Sequence, residues 1–102
     1  MITITMHCDK RHRYTGFTIS GHADYDEAGS DIVCAAVSAL SQTALLGLMQ
    51  YASQDVPYEV NDGFLSVQVP KPCEASQIIL GTMVAGLEQI VRQYGEYVVL
   101  DS

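Results

Sequence analysis

What most constrains this chain is the way its apolar residues change period along 102 residues. A period of two marks a strand, and spacings of three and four mark a helix. Residues 1–7 carry β-branched Ile2, Thr3, Ile4 and Thr5 and read as a strand. Residues 8–13 are polar and charged and form a turn, after which 14–20 alternate again with Thr15, Phe17 and Ile19 on one side. These two strands are expected to form a hairpin. Residues 21–30 follow neither period. Gly21 and Gly29 flank acidic and small residues there, which reads as a flexible loop. From 31 to 51 the period is helical, through Val33, Val37, Leu40, Ala44, Leu48 and Tyr51, with Ser30 or Asp31 available as the N-cap.

Residues 56–61 and 64–69 are short β-rich runs separated by Asp62-Gly63, with Asn61 before them. Those residues tolerate the positive φ of a tight turn, so a second hairpin is predicted. Pro70 and Pro72 end it. A second helix is predicted over 74–94, with Ile79, Met83, Leu87, Ile90 and Tyr94 on one face and Gly95 as a stop. A last strand follows over 97–100. Tyr51 and Tyr94, closing their helices, are expected at the core margin. The order ββαββαβ predicts an α+β fold, one domain over residues 1–102, with a mixed, largely antiparallel sheet covered by two helices. Its edges, and a partly apolar face, leave room for self-association.

Composition narrows the function. With 48% hydrophobic and 17% charged residues the chain is an ordinary globular one. Five Lys and Arg against twelve Asp and Glu give a formal charge of −7. That balance argues against direct nucleic-acid binding, which relies on neutralising phosphates. It serves solubility or steers a basic partner inward. Three cysteines (Cys8, Cys34, Cys73) without a CxxC do not make a secreted disulfide framework. The first six residues lack a basic segment followed by an apolar one, so no signal peptide is expected. No uninterrupted apolar run approaches the ~20 residues of a membrane span. A reducing cytoplasm without membrane contact is therefore expected. His7, Cys8, His12, His22 and Cys34 are possible zinc ligands, but they lack structural-site spacing, and adjacent His7 and Cys8 in a strand point to opposite faces. Neither metal nor cofactor is expected, and Cys8 and Cys73 read as bystanders.

Chemistry concentrates in residues 21–38. A thiol becomes a good nucleophile as thiolate, favoured by a helix N-terminus and by a neighbouring protonated histidine. Cys34 lies within or beside the first helical turn, and His22 sits at a strand exit just before the loop. In the functional reading Cys34 attacks a scissile carbonyl, His22 holds the proton and then protonates the leaving amine, and first-turn amides bind the oxyanion. Asp31 either caps the helix, its simpler role, or orients His22. Ser38, one turn after Cys34, either donates a hydrogen bond to the thiolate or packs as a small residue. In the bland reading Cys34 is a small buried hydrophobe and His22 a turn residue. Asp24, Asp26, Glu27 and Asp31 would disfavour a nearby thiolate, and make better sense as a rim receiving a basic substrate.

The pattern G-H-A-x5-G-x-D-I-V-C-A-A-V-S-A-L over residues 21–40 closely resembles the ribosomal-processing cysteine protease family, Prp. Chain length and element order are similar throughout. The resemblance implies a His–Cys dyad endopeptidase with His22 and Cys34 as the catalytic pair. It implies a substrate too: the short N-terminal extension of the twenty-seventh protein of the large ribosomal subunit, a basic protein. It further implies a homodimer and a mobile loop between His and Cys. Carried over, Ala23, Asp24, Tyr25, Asp26, Glu27, Ala28, Gly29 and Ser30 form that substrate-binding loop, with Gly21 as its other flexible end. The rival is a non-catalytic acidic dimeric module that binds a basic ribosomal protein or assembly factor and buries Cys34. A thiol-redox enzyme is weakened by the lack of a nearby resolving cysteine.

Overall fold

The computed structural model describes residues 1–21 and 30–101. β1 (Ile2–Cys8) and β2 (Tyr14–Ser20) form an antiparallel hairpin with Ile4 opposite Ile19 and Met6 opposite Phe17. The turn between them is held by Asp9, whose Oδ1 accepts the Arg11 and Arg13 amides at 2.9 and 3.0 Å. Its Oδ2 accepts from Arg13 Nε at 2.9 Å. These donors, the Arg13 amide foremost, hold the carboxyl below the usual carboxylate range.

α1 (Ser30–Tyr51) follows, then β3 (Tyr58–Asn61), β4 (Phe64–Gln68), α2 (Glu74–Tyr94) and β5 (Val98–Asp101). The sheet order is β3-β4-β2-β1-β5. β1 and β5 run parallel, and every other pair is antiparallel. The expected element order and mixed sheet are therefore observed. Strand ends moved by a residue or two; the third strand starts after Pro57, which has no N–H to give to the ladder.

Ile2, Ile4, Met6, Phe17, Ile19, Leu65, Val67 and Val98 turn to one face of the sheet and are buried under both helices. Leu48, Leu80 and Leu87 close the core from the helix side, each fully buried, a gain of about 1.5–3 kcal/mol per side chain. The opposite face carries Thr3, Thr5, Thr18, Ser20 and Ser66 in register, together with Val99 beside Thr3 and Phe64 beside Ser20, so it is lined mainly with hydroxyls and is apolar only in part.

α1 is long and apolar enough over Ile32–Tyr51 to cross a membrane by length and composition. Its inner row of Val33, Val37, Ser41, Ala44 and Leu48 is instead packed in the core, and buried Ala52 continues that row just past the helix end. Ser41 is tolerated there because its hydroxyl donates to the Val37 carbonyl at 2.8 Å. Tyr51 lies off this row and is 64% exposed, not at the core margin; Tyr94 does pack against the core. Gly95 ends α2 in the right-handed conformation (φ −59°), so it stops the helix without the left-handed turn its identity suggested.

α2 starts on an unexpected residue. Cys73 is its N-cap: the Ser76 amide donates to Cys73 Sγ at 3.5 Å, and the Cys73 amide donates to Ser76 Oγ at 2.9 Å. This reciprocal capping box gives Cys73 a structural role in place of the bystander role expected. The Ser76 amide also lowers the thiol's pKa from its ordinary 9.0. The thiolate's added stability is thus present above pH 9.0 and is lost as pH falls through the lowered native value. Cys73→Ala should cost about 1 kcal/mol in denaturant melts, and Cys73→Ser should match or exceed the parent because hydroxyls cap well.

Candidate active site

The sheet and α1 meet at a cleft of about 270 Å³. One wall is the start of α1, where Cys34, Ser38 and Gln42 face the cleft at four-residue spacing. The other wall is the β3–β4 hairpin, from Val60 through Asn61, Asp62 and Gly63 to Leu65. Ile2, Ile19 and Val37 form an apolar floor, and Gly21 stands at the rim.

Cys34 follows the first turn of α1, beside it as the helical period suggests. Helical side chains lean back toward the N-terminus, so this thiol lies over the turn that carries the unpaired amides. Cys34 is a free cysteine, partly exposed and packed against the core margin. It is not the fully buried small hydrophobe of the bland reading. Ser38, one turn on, is exposed and lines the same cleft, and its carbonyl accepts from the Ser41 hydroxyl at 3.2 Å.

Gly21 shows why the strand must end on a glycine. Its φ is +94°, and a Cβ there would lie 2.3 Å from the Met1 carbonyl oxygen. No L side chain fits that conformation and that approach together. The Gly21 amide donates to the Gly63 carbonyl at 2.9 Å, which ties the exit of β2 to the tip of the β3–β4 hairpin. That tip turns on Gly63, whose φ is +70°.

His22 and the loop residues Ala23, Asp24, Tyr25, Asp26, Glu27, Ala28 and Gly29 lie outside the described residues, as do the side chains of Ser30 and Asp31. α1 begins at Ser30, so Ser30 and Asp31, the two residues expected to cap it, lie at its start. His7 and Cys8 sit at the other end of β1 from the Ile2 that lines the cleft, and the His7 ring is 2.9 Å from Thr18 Oγ1. The structure therefore does not bring these two zinc candidates to Cys34. Sequence reasoning missed Gln42 and the whole hairpin wall. Gln42 carried a signal: a polar residue two turns after Cys34 in a helix without charged residues from 32 to 51.

The family model described as Cysteine protease Prp matches residues 1–99. A Staphylococcus aureus (strain NCTC 8325 / PS 47) relative named ribosomal processing cysteine protease Prp is 34% identical over 105 residues, covering 99% of this chain and 98% of that protein. The crystal structure of the essential ribosomal processing protease Prp from S. aureus with a covalently linked product peptide superposes with a TM-score of 0.88 at 30% identity, over 99% of this chain and 98% of that one. The same protease with a substrate peptide gives a TM-score of 0.85 at 27% identity, with the same coverage.

Proposed function

This chain belongs to the cysteine protease Prp family, and from that premise we propose that it removes the N-terminal extension of a ribosomal protein with a His22–Cys34 dyad. The observation that carries the reading is Cys34 itself: a partly exposed thiol beside a helix start, on the wall of a cleft. Family membership makes the chain a cysteine protease; the dyad, the substrate and the setting are the further steps proposed.

His22 takes the thiol proton, and Cys34 Sγ attacks the scissile carbonyl carbon. The tetrahedral oxyanion is held by amides of the first turn of α1, over which the thiol leans. The C–N bond breaks as His22 returns the proton to the leaving amine, giving a thioester. Water, deprotonated by His22, then releases the acyl peptide and restores the thiol. The substrate is the extension of the twenty-seventh large-subunit protein, a basic protein suited to a chain of net charge −7. Asp24, Asp26 and Glu27 complement such a substrate in charge. The enzyme acts as a single catalytic domain, in a homodimer, in the cytoplasm; its three free cysteines fit a reducing compartment.

Incubating the protein with the organism's extension-bearing ribosomal protein, followed by intact-mass analysis, tests this reading. One new pair of masses that sum to the substrate plus one water is expected. Tight binding with the substrate mass unchanged would reject the protease reading for this substrate.

A further inference from the structure

Beside the catalytic wall, the cleft has a second one, the β3–β4 hairpin. β3 is the outer strand of the sheet. The Gln68 amide donates to the Pro57 carbonyl at 2.9 Å, which sets the phase of the β3–β4 ladder. With Glu59 opposite Ser66 and Asn61 opposite Phe64, antiparallel alternation makes 57, 59 and 61 the positions bonded inward. Tyr58 and Val60 therefore turn their N–H and C=O groups to the free edge. Among the described residues no strand pairs with that edge. Within Tyr58–Asn61 there is no lysine, proline or bulge to block pairing; Glu59 is the one charged residue, and its N–H and C=O are bonded inward.

The side chains of Tyr58 and Val60 lie opposite buried Val67 and Leu65, on the helix side of the sheet, yet are 54% and 59% exposed. Val60 and Asn61 line the same cleft as Cys34, Ser38 and Gln42. From Cys34 to Gln42 the helix rises about 12 Å, the reach of roughly four residues of extended chain. The hairpin end of β3 and this helical stripe thus line one cleft, with the thiol at one end of the stripe, and the free edge of β3 leads away from that cleft through Val60 to Tyr58.

We propose that the substrate peptide binds as a sixth strand on the edge of β3, pairing with Tyr58 and Val60, and runs on past the hairpin end of β3 into the cleft, where its scissile carbonyl meets Cys34. This rests on the protease reading and adds how the chain is recognised: through main-chain hydrogen bonds, with alternate substrate side chains directed into the groove. An extended peptide has unpaired donors and acceptors at the spacing β3 presents. A folded segment has already spent them internally, so only unstructured termini are accepted.

The test uses synthetic peptides spanning the extension and cut site of the ribosomal protein, each with a single N-methylated amide, and fluorescence anisotropy on the Cys34→Ala protein. Affinity should fall about tenfold or more at alternate amides, in line with a buried hydrogen bond lost, and change little at those between. Val60→Pro removes an outward N–H and no ladder bond, so it should lose a similar factor in affinity while melting like the parent. Glu59→Pro, which removes an inward N–H, should lower the melting temperature instead. Methylation losses without alternation, or parental affinity in Val60→Pro, would overturn the proposal. So would a Val60→Pro chain that loses self-association but not peptide affinity, which would assign the edge to a second copy. Cleavage of the unmodified peptide by the wild type, run alongside, judges the protease reading separately from these binding data.

Discussion

Cys34→Ala is expected to lower cleavage of the ribosomal-protein extension by a factor on the order of 10³ or more while peptide binding stays within a few-fold of the parent. The thiol forms the bond that defines the reaction, so nothing else in the cleft substitutes for it: Ser38 is a full turn away and Gln42 two. Replacing a partly exposed Cys34 with Ala removes one sulfur and leaves the α1 row of Val33, Val37 and Leu48 intact. Melting should accordingly move little. His22→Ala should show the same split between lost turnover and retained binding. Its combination with Cys34→Ala should be no slower than either alone, because two groups acting as one unit are not additive. The decisive readout is single-turnover cleavage followed by intact mass, with Cys73→Ser in the background so that the Cys73 thiol, whose pKa its Ser76 partner lowers, does not confuse active-site labelling. A Cys34→Ala protein that still cuts at the wild-type position would remove Cys34 from the mechanism.

The second large effect is on stability. Phe17 is 0% exposed at the middle of β2, between Met6 on β1 and Val67 on β4. Phe17→Ala should cost about 3–5 kcal/mol, from lost burial and from the cavity left behind. For a chain of this size that lowers the melting temperature by roughly 15–30 °C. It is a large share of the ~5–15 kcal/mol that typically holds such a fold together. Equilibrium unfolding in urea should show a lower midpoint with an unchanged slope. Phe17→Leu, which refills most of the cavity, should recover more than half of the loss. An alanine variant melting within a few degrees of the parent would mean that the sheet is not anchored at its centre as described.

The order of elements was legible because each depends on a few neighbouring residues. Alternation in 14–20 and three-and-four spacing in 74–94 mark β2 and α2 to the residue, since backbone geometry dictates those periods. Asp62-Gly63 marks its own turn for the same reason: Gly63 needs the positive φ it adopts. Cys34 was legible as a thiol near a helix start. A chain motif over residues 21–40 carried its resemblance to a protease. Cys73 was not legible, because cysteine is an unusual cap and its partner Ser76 reveals itself only when both amides are placed.

What tertiary structure alone decided is everything that joins distant segments. No local period says that β5 lies parallel beside β1, or that β4 inserts between β3 and β2. Nor does one say that residues 60–65 face Cys34 across a cleft. Tyr51 was misjudged on the same grounds: its spacing fits the inner row, but the packed row runs on to Ala52 and leaves the ring in solvent. Periodicity tells which face of an element is apolar, because that is a property of a few residues along one axis. It cannot tell which other face it meets, because that is settled by the packing of the whole core at once.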